Sequence, residues 1–296
     1  MSHPVLAGID GSERSLAAAD WAAREAVLRG VPLRLVHASP PLPGDPVPVM
    51  AVETLQHIGE RMLQRAIADL GARHPDVQVR GEQSADAPAV ALLAASRGAA
   101  LLVVGARGSG GFDGLAVGSV ALRVAAAAAC PVVLMPAHLA TGFGDGTRVA
   151  GEAGQVVVGF DAHRPVGEVA DFAFAAAEAR GAPLQAVQAW ALPAEAVSPR
   201  TLFVTGEDRA TWEDQEVLRL SDALRGWHDK YPQVTARSEV VLLHPAEALL
   251  NASGGADLLV VGRRTDPRAA EGRLGPVAHA VLHHCRCPVA VVPHAG

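Results

Sequence analysis

At 296 residues, half of them hydrophobic, the chain is long enough for two domains, each with its own core. A net charge of −6, with Lys230 the single lysine among 25 basic residues, argues against a nucleic-acid surface, and no run of eighteen apolar residues offers a membrane span. Three cysteines imply no disulfide framework, and "MSHPVLAGIDGS" lacks the basic and apolar regions of a secretory signal, so a cytoplasmic location is expected.

"PVLAGID" (4–10) is a short apolar run bounded by Gly-Ser, which predicts a first strand. "RSLAAADWAAREAVLRG" (14–30) has helical spacing and closes on Gly30, a helix C-terminal glycine. "PLRLVHA" (32–38) predicts a second strand, residues from about 50 to 73 a long helix, and "DVQVRGE" (76–82) a third strand. "PAVALLAASRG" (88–98) starts a helix with Pro88 near its first turn. "AALLVVG" (99–105) is a fourth strand, and a helix from Ser119 leads to a fifth, "PVVLMP" (131–136). Continuously apolar strands separated by helices point to a parallel sheet covered on both faces, and right-handed crossovers make it doubly wound.

The second half repeats the first. "VLAGIDGSERSLAAAD" from Val5 aligns with "VVVGFDAHRPVGEVAD" from Val156, which sets Asp10 against Asp161 and Gly30 against Gly181. Further on, "AALLVVG" matches "ADLLVVG" (256–262), and "CPVVLMP" (130–136) matches "CPVAVVP" (287–293). The offset grows from 151 to 157, so the second copy carries a small insertion. This is a duplicated domain rather than a short-period solenoid. The predicted organisation is an α/β domain at 1–140, a linker at 141–153 in a Gly-rich polar stretch, and a second such domain at 154–296, each with a five-stranded parallel sheet.

The informative stretch is "VVGARGSGGFDGLAVGSVA" (103–121). In an open α/β sheet, ligands bind beyond the carboxyl ends of the strands, where strand order reverses. With strands one and four adjacent, Asp10 and the 105–118 loop face one cleft. Glycines let backbone N–H groups approach a phosphate closely, and the next helix points its N-terminus at the anion. Ser119 stands where that helix begins.

Three known glycine signatures fail here. G-x-G-x-x-G meets Asp113 where its third glycine belongs, and follows the wrong strand; G-x-x-x-x-G-K-[ST] needs a lysine this half lacks; "SGGFDG" (109–114) ends in Gly114 where pyrophosphatase loops have serine. A fourth fits: Gly105-x2-Gly108-x9-Gly118-Ser119 resembles the ATP-binding signature of the universal stress protein family. The tandem arrangement resembles the two-domain universal stress proteins of actinobacteria, and the resemblance covers all but the linker.

The resemblance implies roles at matching positions. Gly8 and Asp10 would sit at the end of strand one, Asp10 beside the ribose and a phosphate-bound Mg²⁺. Ala38 would contact adenine through its backbone; Gly105 and Gly108 would line the ribose and phosphates; Gly118, Ser119 and Val120 would hold the outer phosphates. It further implies a homodimer and an ATP-dependent sensor or regulator without turnover. A slow ATPase or a non-binding structural scaffold are the alternatives.

Each residue has a plainer reading. Asp10 and Ser119 are good helix caps, and the glycines good turn residues. His279 and His283, near His284, Cys285 and Cys287, have zinc-ligand spacing but equally suit an exposed helix end. Trp21, Trp190, Trp212 and Trp227 read as packing residues.

In the second copy, "VVGRRTDPRAAEGRLGPVA" (260–278 by alignment) keeps Gly262 and Gly275 but has Thr265 for the middle glycine and Pro276 for the serine. Thr resists positive φ, and Pro brings neither hydroxyl nor N–H while suiting a first helical position. This half is expected to bind ATP weakly or not at all. The alternative is a different anion site built from Arg263, Arg264, Arg268 and Arg273.

Overall fold

The computed structural model describes residues 3–38, 49–108, 116–141, 154–192, 206–265 and 272–295. The predicted linker (141–153), Asp113 and Arg268 fall essentially outside these residues. The chain divides into two compact units: Met1–Ala150 with Thr265–Leu274, and Gly151–Arg264 with Gly275–Gly296.

The first unit runs β1 (Val5–Ile9), α1 (Glu13–Arg29), β2 (Leu33–Ala38), α2 (Val49–Arg73), β3 (Val79–Ser84), α3 (Pro88–Ser96), β4 (Leu101–Gly105), α4 (Ser119–Ala127) and β5 (Val132–Met135). The strands pair in parallel in the order β3-β2-β1-β4-β5. Every residue of β5, and the first four of β4, is buried, as expected for strands covered on both faces. Helices α1 and α2 pack together on one face, α3 and α4 on the other. Chain direction across the sheet reverses between β1 and β4, which opens a crevice at their carboxyl ends.

The second unit repeats this with β6 (Val156–Gly159), α5 (Gly167–Arg180), β7 (Leu184–Ala189), α6 (Gly206–Lys230), β8 (Ala236–Val241), α7 (Pro245–Ala252), β9 (Leu258–Thr265), α8 (Pro276–His284) and β10 (Val289–Ala295). Its strand order is β8-β7-β6-β9-β10, again parallel where registers are defined. Both first helices end on a left-handed glycine, Gly30 (φ 62°) and Gly181 (φ 58°), a conformation that any Cβ would strain.

Strand boundaries differ from the sequence expectation by one to three residues, and two of the differences have a clear cause. The third strand starts at Val79 rather than Asp76, because Val77 N–H donates to His74 O (3.2 Å) and closes a turn first. The fifth starts at Val132, one residue beyond Pro131, which has no N–H to give a ladder.

A helix-to-helix anchor recurs with altered chemistry. Asp20 of α1, only 8% exposed, accepts from Arg73 and from His74 Nε2 (2.9 Å) at the end of α2. At the equivalent place Asp171 of α5 accepts from Lys230 and from Tyr231 Oη (3.0 Å). Tyr231 then stacks on the fully buried Phe174, 5.6 Å between centroids. Of the tryptophans, Trp190 is buried, Trp227 meets Phe160 edge-on at 6.2 Å, and Trp21 and Trp212 are half-buried.

Candidate functional site

The crevice of the first unit is a cavity of about 490 Å³, inside the range of roughly 300–1,000 Å³ usual for small-molecule sites. Its lining includes Gly8, Asp10, Ala38, Gly105, Gly108, Gly118, Ser119 and Val120, so the structure brings all eight sequence-predicted positions together.

Each strand end contributes a different surface. On the α3 face lie Val36, Leu92 and Val104, an apolar wall, while Ile9 points to the other face with His37. Gly8 belongs to this wall because a Cβ there would lie 3.0 Å from Leu92 Cδ2 and 3.3 Å from Val104 Cγ1. At the end of β4 and the start of α4 the lining includes Gly105, Gly108 and Gly118, which carry no side chains. Ala106 N–H donates to Met135 O (2.8 Å), and Gly118 N–H returns to Ala106 O (2.7 Å), so the loop leaves and re-enters at a single clamp. A Cβ at Gly105 would sit 3.2 Å from Arg107 O and 3.3 Å from Arg14 O, both backbone atoms.

The helix α4 opens onto the cavity without a cap. Gly118 is its N-cap residue (φ −83°, ψ 161°) and makes no side-chain capping bond. Ser119 is therefore the first helical residue, which removes the simple N-cap reading of its hydroxyl. The first-turn N–H groups of an α-helix have no intrahelical acceptor, and here those of Ser119, Val120 and Ala121 border the cavity with the positive end of the helix dipole.

Asp10 is not the cap of α1 either. That place belongs to Ser12, whose Oγ accepts from Ser15 N–H (3.2 Å). Asp10 acts one step earlier: its Oδ1 accepts from Ser12 N–H (3.0 Å) and Ser12 Oγ–H (2.6 Å). The same turn recurs in the second unit, where Asp161 Oδ1 accepts from His163 N–H (3.0 Å). One oxygen of Asp10 thus holds the turn. The other, Oδ2, lies 2.7 Å from where a Gly108 Cβ would stand, so the loop can approach the carboxylate only as glycine. Ser12→Ala is expected to lower stability by about 1 kcal/mol through loss of the cap, and to weaken any ligand that needs Asp10 held in place. Urea denaturation checks the first effect; an unchanged midpoint would refute it.

Sequence reasoning missed His37, Pro88 and Leu92. His37 Nδ1 lies 2.9 Å from Ile9 O, and since a carbonyl only accepts, Nδ1 carries the proton. Helix α2 leaves room for the ring through Gly59, where a Cβ would be 2.8 Å from it. Pro88 and Leu92 stand four apart on α3 and face the cavity together. The repeat itself held a signal for them: Pro245 and Leu249 take the same places on α7 and line the second unit's cavity.

The sequence profile of the Universal stress protein family matches residues 1–136 and again 153–293. The chain belongs to the universal stress protein family. A universal stress protein of Mycobacterium tuberculosis is 32% identical over 298 residues, covering 98% of this chain and 96% of the relative. One from Mycolicibacterium smegmatis is 31% identical over 302 residues, covering 98% and 97%. Among solved structures, a universal stress protein from Archaeoglobus fulgidus superposes with a TM-score of 0.69 at 16% identity over 99% of both chains. A putative one from Pseudomonas aeruginosa gives 0.57 at 17%, over 99% of this chain and 94% of the other. These two likenesses concern the fold. Among the described residues, no helix is long and apolar enough to cross a membrane.

The second copy of this universal stress protein fold has a smaller crevice at the equivalent place, about 340 Å³. Phe160 replaces Ile9 and packs on Trp227. Gln188 replaces His37; it is buried, accepts from Ala162 N–H (3.0 Å) and donates to Glu216. The strand also runs on. Where β4 stops at Gly105, β9 continues through Arg263 and Arg264 to Thr265, since threonine favours a pleated backbone that glycine at 108 does not. Of the arginines proposed for an alternative anion site, Arg263 is 4% exposed and Arg264 lines a neighbouring cavity of about 470 Å³ with Arg164 and His294.

Helix α8 carries the histidines. His279 and His283 rings stand 4.6 Å apart, and burial together with its two histidine neighbours lowers the pKa of His283. Among the described residues, no three His, Cys, Asp or Glu side chains are grouped to hold a metal ion.

Proposed function

We propose that the first unit binds an adenine nucleotide, with ATP and Mg²⁺ as the ligand, and that the protein acts in the cytoplasm as a nucleotide-dependent regulator of the stress response. The observation that carries this reading is the union, in one cavity, of an apolar wall and an uncapped helix N-terminus. A base needs the first and an anionic chain of phosphates the second. Val36, Leu92 and Val104 offer apolar surface to a flat ring, and Ala38 lines the same cavity. Gly105, Gly108 and Gly118 then give the ribose and phosphates backbone without side chains.

Asp10 suits the metal. Mg²⁺ keeps several waters and takes one or two carboxylates beside the phosphates, and Asp10 brings a carboxylate whose orientation Ser12 fixes. Bound Mg²⁺ would neutralise phosphate charge; the chain itself orients and encloses the nucleotide.

A regulator holds its ligand rather than turning it over. Calorimetric titration of ATP into the full chain, with parallel assay of phosphate release, tests both parts. Saturable binding with no sustained release is expected. Absence of heat up to millimolar ATP would leave only a scaffold role. Sustained release that Gly118→Ala abolishes would make the protein a hydrolase. Light scattering with and without ATP measures whether whole chains pair and whether the nucleotide governs it.

A further inference from the structure

The turn between α8 and β10 holds two sulfurs. Cys285 Sγ and Cys287 Sγ are 3.4 Å apart, both thiols. Cys285 is the C-cap residue of α8, with its N–H bonded to Val281 O (2.8 Å), while Cys287 stands two residues ahead of β10. Helix and strand therefore fix the turn at its two ends. A third group attends: Ser253 Oγ lies 3.5 Å from Cys285 Sγ and is itself anchored to Leu250 O (2.9 Å).

We propose that Cys285 and Cys287 are a site of reversible oxidation by hydroperoxides, closing to a disulfide across this turn. The Cys287 S–H donating to Cys285 holds the Cys285 thiol below the ordinary thiol range, against its burial; the same bond and burial push Cys287 up. In the proposed step Cys285 serves as the nucleophile and Cys287 keeps a proton to give.

The step balances. A lone pair of the Cys285 thiolate attacks one peroxide oxygen; the O–O bond breaks, and the leaving alkoxide or hydroxide takes a proton to become alcohol or water. Cys285 is now a sulfenic acid. The Cys287 sulfur attacks it, the S–S bond forms, the S–O bond breaks, and a second water leaves with the Cys287 proton. Two electrons have passed from the pair to the hydroperoxide, and a thiol reductant returns them.

The first unit supplies the contrast. Cys130 matches Cys287 in the repeat, but Ala128 stands where Cys285 would be, so that unit has the frame of the turn with one sulfur. The inference is independent of nucleotide binding.

The reduced full-length protein, treated with stoichiometric hydrogen peroxide and then alkylated after denaturation, gives the test by intact mass and peptide mapping. A chain lighter by two hydrogens, with the bond mapped to Cys285–Cys287 and Cys130 alkylated, is expected. Cys287→Ser should leave a sulfenic acid on Cys285 that dimedone traps, and Cys285→Ser should slow peroxide consumption about tenfold. In guanidinium the three thiols should react alike, which keeps the test meaningful if a variant folds poorly. Cys130 oxidising as fast as Cys285 in the native chain, or a treated chain with all three thiols intact, would overturn the proposal.

Discussion

Replacing Gly108 by valine is expected to lower ATP affinity at least about a hundredfold, roughly 2.7 kcal/mol, while the fold survives. The two parts of that expectation have separate causes. Gly108 has no positive φ, unlike Gly11 (φ 80°) or Gly30, so its backbone conformation suits any L-residue. It is exposed, and no core contact depends on it. What a side chain meets there is Asp10 Oδ2, 2.7 Å from the first carbon. The carboxylate cannot swing away cheaply, because its other oxygen is bonded to both N–H and Oγ–H of Ser12. Valine therefore either displaces Asp10, breaking the turn ahead of α1, or pushes the loop back from the cavity. Both would remove groups that face the cavity, and its methyls would occupy space that the proposed nucleotide's phosphates need. Gly105→Ala should behave differently: its new carbon meets carbonyl oxygens of Arg107 and Arg14, so stability falls along with binding. Calorimetry and thermal melting on the two variants separate the cases. A Gly108→Val protein that binds ATP like the parent would remove the site from this cavity.

The duplication and the succession of strands and helices were legible in local apolar runs, and the eight cavity positions in the resemblance of Gly105-x2-Gly108-x9-Gly118-Ser119 to the universal stress protein signature. A doubly wound order with strands one and four adjacent then put Asp10 and the glycine loop at one cleft, and the observed order has that adjacency. What escaped is what depends on facing elements. His37 has no signature of its own; it lines the cavity because β2 pairs with β1 in the register His37 opposite Ile9 and because α2 offers Gly59. The anchor of Asp20 was invisible in the alignment, since Arg73 and His74 became Lys230 and Tyr231 while the carboxylate stayed. The repeated Asp at 10 and 161 read as a possible cap, whereas the structure uses it one step earlier, to hold the residue two places on. The same "LLVVG" ends β4 in one unit and continues as β9 in the other, and only the residues that follow decide which.

The full chain is expected to bind one ATP, not two. Both units keep the aspartate, the strand-one glycine and the α3 or α7 pair that lines the wall, so the second crevice is a real counterpart of the first. The differences lie at the strand-four end and the helix N-terminus, where the proposed phosphates would sit. Pro276 stands first in α8 and has no N–H to offer where Ser119 has both N–H and hydroxyl. Thr265 lies in a strand that has not yet turned, at the place where Gly108 meets Asp10. The strand-one and strand-two ends differ as well, with Phe160 for Ile9 and with Gln188 fixed to Ala162 N–H and Glu216 where His37 borders the first cavity. A triphosphate in the second unit would thus lose one backbone donor and a hydroxyl, each hydrogen bond to a charged group contributing about 1.5–3 kcal/mol. Even the smaller figure, taken twice, places the second site some hundredfold or more below the first. Calorimetry on the parent chain should give a stoichiometry near one, and the Gly108→Val chain should show no remaining tight site. Two equivalent sites, or tight binding that survives Gly108→Val, would mean that Arg164, Arg264 and His294 around the neighbouring cavity receive the phosphates instead.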